Sequence, residues 1–328
     1  MKIKRIASAT FAGIAAVATI LGVGAATLSS PRIDTYAEEG QSNTPAVWLQ
    51  ISPVSNRVSL SKGGEYDYSF TVSNIGSEAF GYHVYAAPYS ITSEDYAVSF
   101  STETNRTQVA RWIKFYDNEG KLQETASFKI NPGETQSVSY RITVPDDIPD
   151  GGQYACIFAE SDETEGSVSG SGIKTVSRVG LIVYGRTDGN TVDKAEIKDI
   201  QIPGFMTTGK ITTESKVVNA GNTDFEAVYS LNIKSLFGRQ LYEKNSSYNV
   251  LPDTERRVHM DWEGTPFMGI FQVRYVVRAL DQIEETTRIV VIMPIFVIVL
   301  TIILLTLIII WIIILVRKRR ERKSRLLV

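Results

Sequence analysis

The residues able to do chemistry are few, and their spacing brings little of it together. The chain has two histidines, His83 and His259, and one cysteine, Cys156. A zinc centre needs three or four Cys, His or carboxylate ligands converging on one point. Neither histidine has a Cys partner at ligand spacing, so both read as strand residues and no metal is expected. Cys156 sits in Gln153-Tyr154-Ala155-Cys156-Ile157-Phe158-Ala159, the pattern of a buried strand, where a thiol is inert. Adjacent carboxylates that could do acid–base work or hold calcium occur at Glu94/Asp95 and Asp146/Asp147. The second pair lies between Pro145 and Pro149 and reads as a turn. No glycine loop of phosphate-binding type and no Gly-x-Ser-x-Gly elbow occurs; Gly170-Ser171-Gly172 lacks the strand–turn–helix context. Asn105-Arg106-Thr107 and Asn245-Ser246-Ser247 match the glycosylation pattern, which matters only in a glycosylating host. The expectation is a non-catalytic protein without a cofactor.

Aromatic side chains offer a binding chemistry instead. Tyr82, Tyr85, Tyr89, Tyr96, Trp112 and Tyr116 crowd one part of the sequence. Aromatic faces stack on sugar rings and dominate protein contacts, but alternating aromatics also fill sandwich cores. Tyr89, Tyr96 and Trp112 are the ligand-binding candidates, because they lie in or beside a loop with less core to reach.

The elements that must position these residues have a period of two. Tyr66-Asp67-Tyr68-Ser69-Phe70-Thr71-Val72 and Phe271-Gln272-Val273-Arg274-Tyr275-Val276 alternate apolar with polar, and turns such as Asn131-Pro132-Gly133 and Asp188-Gly189-Asn190 punctuate such runs. No segment between Val47 and Met293 has helical periodicity. The segment also repeats itself. Val72-x-Asn74-x-Gly76-x-x-x-Phe80 is answered by Val217-x-Asn219-x-Gly221-x-x-x-Phe225, Pro132/Val138 by Pro252/Val258, and Pro149…Gly152-Gln153-Tyr154 by Pro266…Gly269-Ile270-Phe271. The predicted fold is all-β: two tandem immunoglobulin-like β-sandwiches at 46–188 and 190–294, joined by Thr187–Lys194. The first carries an extra stretch around Tyr89–Arg111. The Ser/Gly/acidic stretch Ser161–Gly172 reads as a long mobile hairpin loop.

Charge is unevenly distributed. The formal net charge is −2, but both ends are basic, leaving about −11 for the middle. An acidic middle argues against nucleic acid, which demands a cationic surface. Residues 1–37 read as a secretory signal, with Lys2, Lys4 and Arg5 ahead of an apolar Ala/Gly-rich stretch. Cleavage after Ala26, cleavage after Ala37 and an uncleaved anchor remain open. A helix at 295–316 is long enough, at roughly 33 Å, to cross a hydrocarbon core of about 30 Å. The tail 317–328 opens with Arg317, Lys318, Arg319 and Arg320; the positive-inside rule makes it cytoplasmic and the sandwiches extracellular. The expectation is a single-pass cell-membrane protein.

Ile51-Ser52-Pro53, Phe70–Phe80 with its Asn-x-Gly, Asn131-Pro132-Gly133-Glu134 and Val144-Pro145…Pro149-Asp150-Gly151-Gly152 follow one another in an order that resembles the WxL-interacting proteins of Gram-positive cell surfaces. The resemblance implies a membrane-anchored adhesion or scaffold protein whose first sandwich binds peptidoglycan or another wall glycan. The second would act as a spacer or a protein-partner site. The alternative is an accessory subunit of an exported or membrane complex that binds protein rather than glycan.

Overall fold

Strict alternation sets which face of each strand is wet. Ile211–Asn219 buries every second residue completely, and Glu65–Asn74 does the same over its second half, as a half-buried sheet requires. The computed structural model describes residues 45–162, 164–165 and 174–325. The secretory signal read at 1–37 and most of the Ser161–Gly172 loop lie outside the described residues. The described chain is all-β apart from two helices: two tandem immunoglobulin-like sandwiches followed by one long apolar helix.

The first sandwich comprises β1 (Leu49–Ser52), β2 (Ser55–Leu60), β3 (Glu65–Asn74), β4 (Phe80–Pro88), β5 (Ser90–Ile91), β6 (Val98–Ser99), α1 (Val109–Trp112), β7 (Ile113–Tyr116), β8 (Leu122–Gln123), β9 (Thr125–Ile130), β10 (Thr135–Thr143), β11 (Gly151–Ser161), β12 (Thr164–Glu165), β13 (Lys174–Thr175) and β14 (Arg178–Thr187). One sheet runs β1-β3-β10-β7-β8 and the other β2-β14-β11-β4-β9, with short hairpins β5-β6 and β12-β13 beside them. Between the sheets lie Phe70, Tyr82, Phe115, Tyr140 and Ile157, all buried. Asn56 Nδ2 donates to the Tyr140 hydroxyl at 3.2 Å, and the Tyr82 hydroxyl donates to Gln136 Oε1 at 3.0 Å.

The second sandwich comprises β15 (Ala195–Gln201), β16 (Phe205–Met206), β17 (Ile211–Asn219), β18 (Phe225–Ser235), β19 (Gln240–Val250), β20 (Thr254–Trp262), β21 (Gly269–Ala279) and β22 (Gln282–Ile292). Its sheets run β15-β17-β20 and β16-β22-β21-β18-β19. Tyr229, Tyr275, Trp262 and Phe271 fill its core, where the Ser215 and Tyr275 hydroxyls share a 2.8 Å hydrogen bond.

The repeat read in the sequence has a physical basis. In both sandwiches the opening strand is split between the two sheets. β1 pairs with β3 and, past a cis Ser52–Pro53 bond, β2 joins the other sheet parallel to β14; β15 pairs with β17 and β16 joins parallel to β22. The repeated Asn-x-Gly turn holds that opening segment. Asn74 Oδ1 accepts from Gly76 N at 2.9 Å while its Nδ2 donates to Glu78 O at 2.8 Å. Asn219 does the same with Gly221 N (2.9 Å) and Thr223 O (2.8 Å), and adds Val250 O (2.9 Å). A Cβ on Gly76 would lie 2.6 Å from Ala46 O, and one on Gly221 2.2 Å from Val192 O. Only glycine lets the opening segment pass so close.

Two elements depart from the sequence reading. The four-residue α1 gives no periodic signal because it is barely one turn. The terminal helix α2 runs Ile295–Arg325, past the expected end near Val316, because Arg, Lys and Glu extend a helix once it is nucleated. Its segment Ile295–Lys318, 24 residues, is long and apolar enough to cross a membrane, and no other part of the described protein covers it.

Candidate functional site between the two sandwiches

β11 is buried on both faces. Ala155, Ile157 and Ala159 point into the first core, so Tyr154, Cys156 and Phe158 point outward. The stretch after β4 covers that outer face. It turns through the β5-β6 hairpin, and Tyr89, Tyr96 and Ile91 pack with Tyr154, Cys156 and Phe158 and with Leu251 of the second sandwich. The loop read as a place for exposed ligand-binding rings is the joint between the sandwiches.

Tyr96 reaches furthest across. Its hydroxyl accepts from the Leu251 backbone N–H at 2.7 Å, and the Arg256 guanidinium lies 3.7 Å from its ring centroid. Arg256 also lies 4.5 Å from the Tyr248 ring. Tyr96 has φ 64, a left-handed backbone that an L side chain adopts at a cost of about 1–2 kcal/mol. Beside it Arg257 N donates to Glu94 O at 2.7 Å, and the Arg257 guanidinium pairs with Glu94. Lys216 lies 3.1 Å from Glu94 and 3.2 Å from Glu255. The carboxylate pair Glu94/Asp95, a candidate for acid–base work, therefore belongs to an ion-pair network that fastens the joint, with Asp95 3.6 Å from Arg257.

The opposite side of the joint is closed by backbone. Gly152 N donates to Asn222 O at 2.7 Å, and Asp224 bridges to Arg57 (2.6 Å) and to the Tyr154 hydroxyl (3.2 Å). The connecting segment is pinned along its length. Asp188 N donates to Leu60 O (3.0 Å), Asn190 N to Asp150 Oδ2 (2.9 Å) and Val192 N to Asn222 Oδ1 (2.7 Å). Between the two sides a cavity of about 380 Å³ is lined by Tyr89, Tyr154, Leu251, Arg106, Asp253 and Thr254, among others. Arg106 donates to Asp150 O at 2.7 Å and lies 3.6 Å from Asp253.

The other residues singled out in the sequence are scattered. Trp112 is buried in the first core and edges an open depression of about 550 Å³ with Glu103, Asn105 and Arg111. Tyr82 is fully buried, and Tyr116 donates to Asp67 Oδ1 at 2.9 Å. His83 lies 3.6 Å from Asp162 and stacks on Tyr85; His259 lies 3.6 Å from Glu214. The histidines sit in different sandwiches. Among the described residues no group of three or more His, Cys, Asp or Glu side chains is placed to hold a metal.

No protein-family model matches this chain, and no curated protein matches it. Solved structures do. A chain of the CsuC–CsuE chaperone–tip adhesion subunit pre-assembly complex of Acinetobacter baumannii is 13% identical, covering 75% of this chain and 99% of its own, with a TM-score of 0.36. A chain of the Salmonella enterica SafA pilin–SafB chaperone complex is 12% identical, covering 76% and 98%, with a TM-score of 0.34. The Pseudomonas aeruginosa CupB2 chaperone is 13% identical, covering 73% and 99%, with a TM-score of 0.32. What those proteins bind is a property of those proteins.

Two predictions arise at the joint. Burial pushes the Cys156 thiol up to about 12, so the native chain should fail to react with a maleimide at pH 7.5 and react fully once unfolded. Mass spectrometry of the adduct checks this, and rapid native labelling would contradict the packing. The second concerns acid. Hydrogen bonding to Lys216 holds the Glu94 carboxyl below its usual range, and Lys62 with the Asn190 N–H does the same for Asp150. A depressed carboxylate contributes stability above its unfolded value, roughly 4, and that contribution is lost as pH falls through the folded value. Lowering the pH from 7 to 3 should therefore weaken the joint, read by small-angle scattering as a larger radius of gyration, and Glu94→Gln should show a smaller change over the same range.

Proposed function

We propose that this chain is a non-catalytic, membrane-anchored scaffold. Its two sandwiches act as one rigid head held at a fixed height outside the membrane, presenting its faces to other surface proteins. The observation that carries this reading is the continuity of the described chain from first sandwich to helix. The joint is locked by Tyr96, Glu94 and Asn222, and only Met293 and Pro294 separate β22 from α2. A spacer that must hold its load at a set distance needs stiffness of this kind. The anchor is α2, with the basic cluster from Arg317 on the cytoplasmic side and the sandwiches outside. Protein is favoured as the partner by β19. It is an eleven-residue edge strand with one neighbour, β18, and an open edge of that length can accept an added strand.

Wall glycan is the second ligand, supported by the motifs shared with WxL-interacting proteins; membership of that family is part of the same proposal. The geometry supports glycan less, because Tyr89 and Trp112 are buried in packing and Tyr96 is engaged at the joint. Photocrosslinking from Asn245 in membranes, run beside co-sedimentation of detergent-solubilised full chain with peptidoglycan sacculi, tests both. A protein adduct from Asn245 supports the scaffold with a protein partner, and sedimentation without an adduct supports the glycan arm. Neither adduct nor sedimentation would overturn the scaffold reading.

A further inference from the structure

The end of the second sandwich next to α2 carries an apolar rim. Phe237 is 96% exposed, Phe267 70%, Leu236 57% and Phe205 56%; Met268 and Ile270 are exposed as well. These residues come from three separate parts of the chain: the β18–β19 hairpin tip, the turn before β21 with the start of that strand, and β16. Strand register places all three at one level. Phe205 pairs with Val291 and Gly269 with Ile292. Ser235, which opens the Leu236-Phe237 tip, pairs with Phe271, and Phe271 pairs with Val290. Every one of these contacts lies within the last three residues of β22, the strand that leads into α2.

That level is fixed relative to the helix. Met293 and Pro294 alone join Ile292 to Ile295, and Met293 N is tied to Met206 O at 2.9 Å. Two intervening residues span at most about 7–11 Å between Ile292 and Ile295. The polar layer on each side of a bilayer is about 5–8 Å deep. With α2 across the hydrocarbon, the turn before β21 and the Leu236-Phe237 tip fall within or at the boundary of that layer. Left in water these rings gain nothing from burial, whereas aromatic side chains are at home among headgroups. Lys234 and Arg239 flank the Leu236-Phe237 tip, placing cations where lipid phosphates lie, although the middle of the chain is acidic overall.

We infer that this end of the second sandwich is a lipid-binding surface: the Leu236-Phe237 and Phe267-Met268 tips insert into the headgroup layer of the leaflet that α2 enters, so that the head stands on the membrane on several feet rather than hanging from one helix. The inference rests on the proposed anchoring by α2. Its test uses the full chain in vesicles of phosphatidylcholine and phosphatidylglycerol. Single-site variants Phe237→Cys, Phe267→Cys, Leu280→Cys and Ile308→Cys carry an environment-sensitive fluorophore, buried Cys156 remaining unlabelled. Leu280, also exposed, lies in the turn at the far end of β21 and β22 and is the control. Lipids bearing a nitroxide near the headgroup should remove most of the fluorescence at positions 237 and 267 and leave position 280 unchanged, while a nitroxide deep in the acyl chain quenches position 308. Quenching at 308 with none at 237 and 267 would overturn the lipid-contact surface and leave the anchor intact. No quenching at 308 would remove the anchor itself, and this inference with it.

Discussion

Asn219→Ala should cost about 3 kcal/mol or more and unfold the second sandwich at a lower denaturant concentration than the first. The side chain is buried and holds three groups at once: the Gly221 N–H and the carbonyls of Thr223 and Val250. Alanine leaves all three unpartnered in a place water reaches poorly, at about 1–3 kcal/mol for each group that stays unsatisfied. The equivalent Asn74→Ala removes two bonds, to Gly76 N and Glu78 O, the latter only partly buried, so about 2 kcal/mol is expected. Asn219→Asp should not rescue, because a carboxylate would accept from Gly221 N but face two carbonyl oxygens. Urea unfolding of a fragment ending at Met293 separates the cases. Trp262 then reports the second sandwich, and Trp48 with Trp112 the first. A midpoint shift for Asn219→Ala no larger than for Asn74→Ala would show that the third bond, to Val250 O, contributes nothing.

That pair of asparagines also marks what the sequence could and could not disclose. Asn-x-Gly is a local device: the two bonds common to both copies close within five residues, so both copies were visible as a repeat and pointed to two sandwiches of one kind. The aromatic cluster was visible as a cluster, but its partners were not, because Tyr96 meets Leu251 and Arg256 across more than 150 residues and no spacing rule spans that distance. One signal was available. Tyr154–Ala159 lacks the polar alternation of a strand with a wet face, which meant that something had to cover β11 from outside. Only the fold shows that the cover is the β5-β6 hairpin. Glu94/Asp95 illustrates the same gap from the polar side, since a carboxylate pair looks alike in sequence whether it serves a reaction or an ion-pair network with Arg257 and Lys216.

Tyr96→Gly should release one sandwich from the other while leaving both folded. Glycine keeps the left-handed backbone available at φ 64, so the substitution removes the ring without adding backbone strain. Truncating a well-packed aromatic costs about 3–5 kcal/mol, and here that loss falls on the joint rather than on either core. Tyr96→Phe isolates the hydroxyl: losing the bond from Leu251 N should cost about 1–2 kcal/mol and leave the joint closed. Arg256→Ala removes the cation over the ring, and its effect should largely vanish in the Tyr96→Gly background if the pair acts as a unit. Electron–electron distance measurements between one spin label on each sandwich read the outcome. A narrow distribution in the native chain that broadens in Tyr96→Gly, with circular dichroism unchanged, places the stiffness in this contact. A distribution that stays narrow would mean that the Asn222 side of the joint suffices, and that the left-handed Tyr96 is held for some purpose other than stiffness. Because only Met293 and Pro294 separate β22 from α2, a release at the joint would change the position of the first sandwich relative to the helix while leaving the second sandwich where it is.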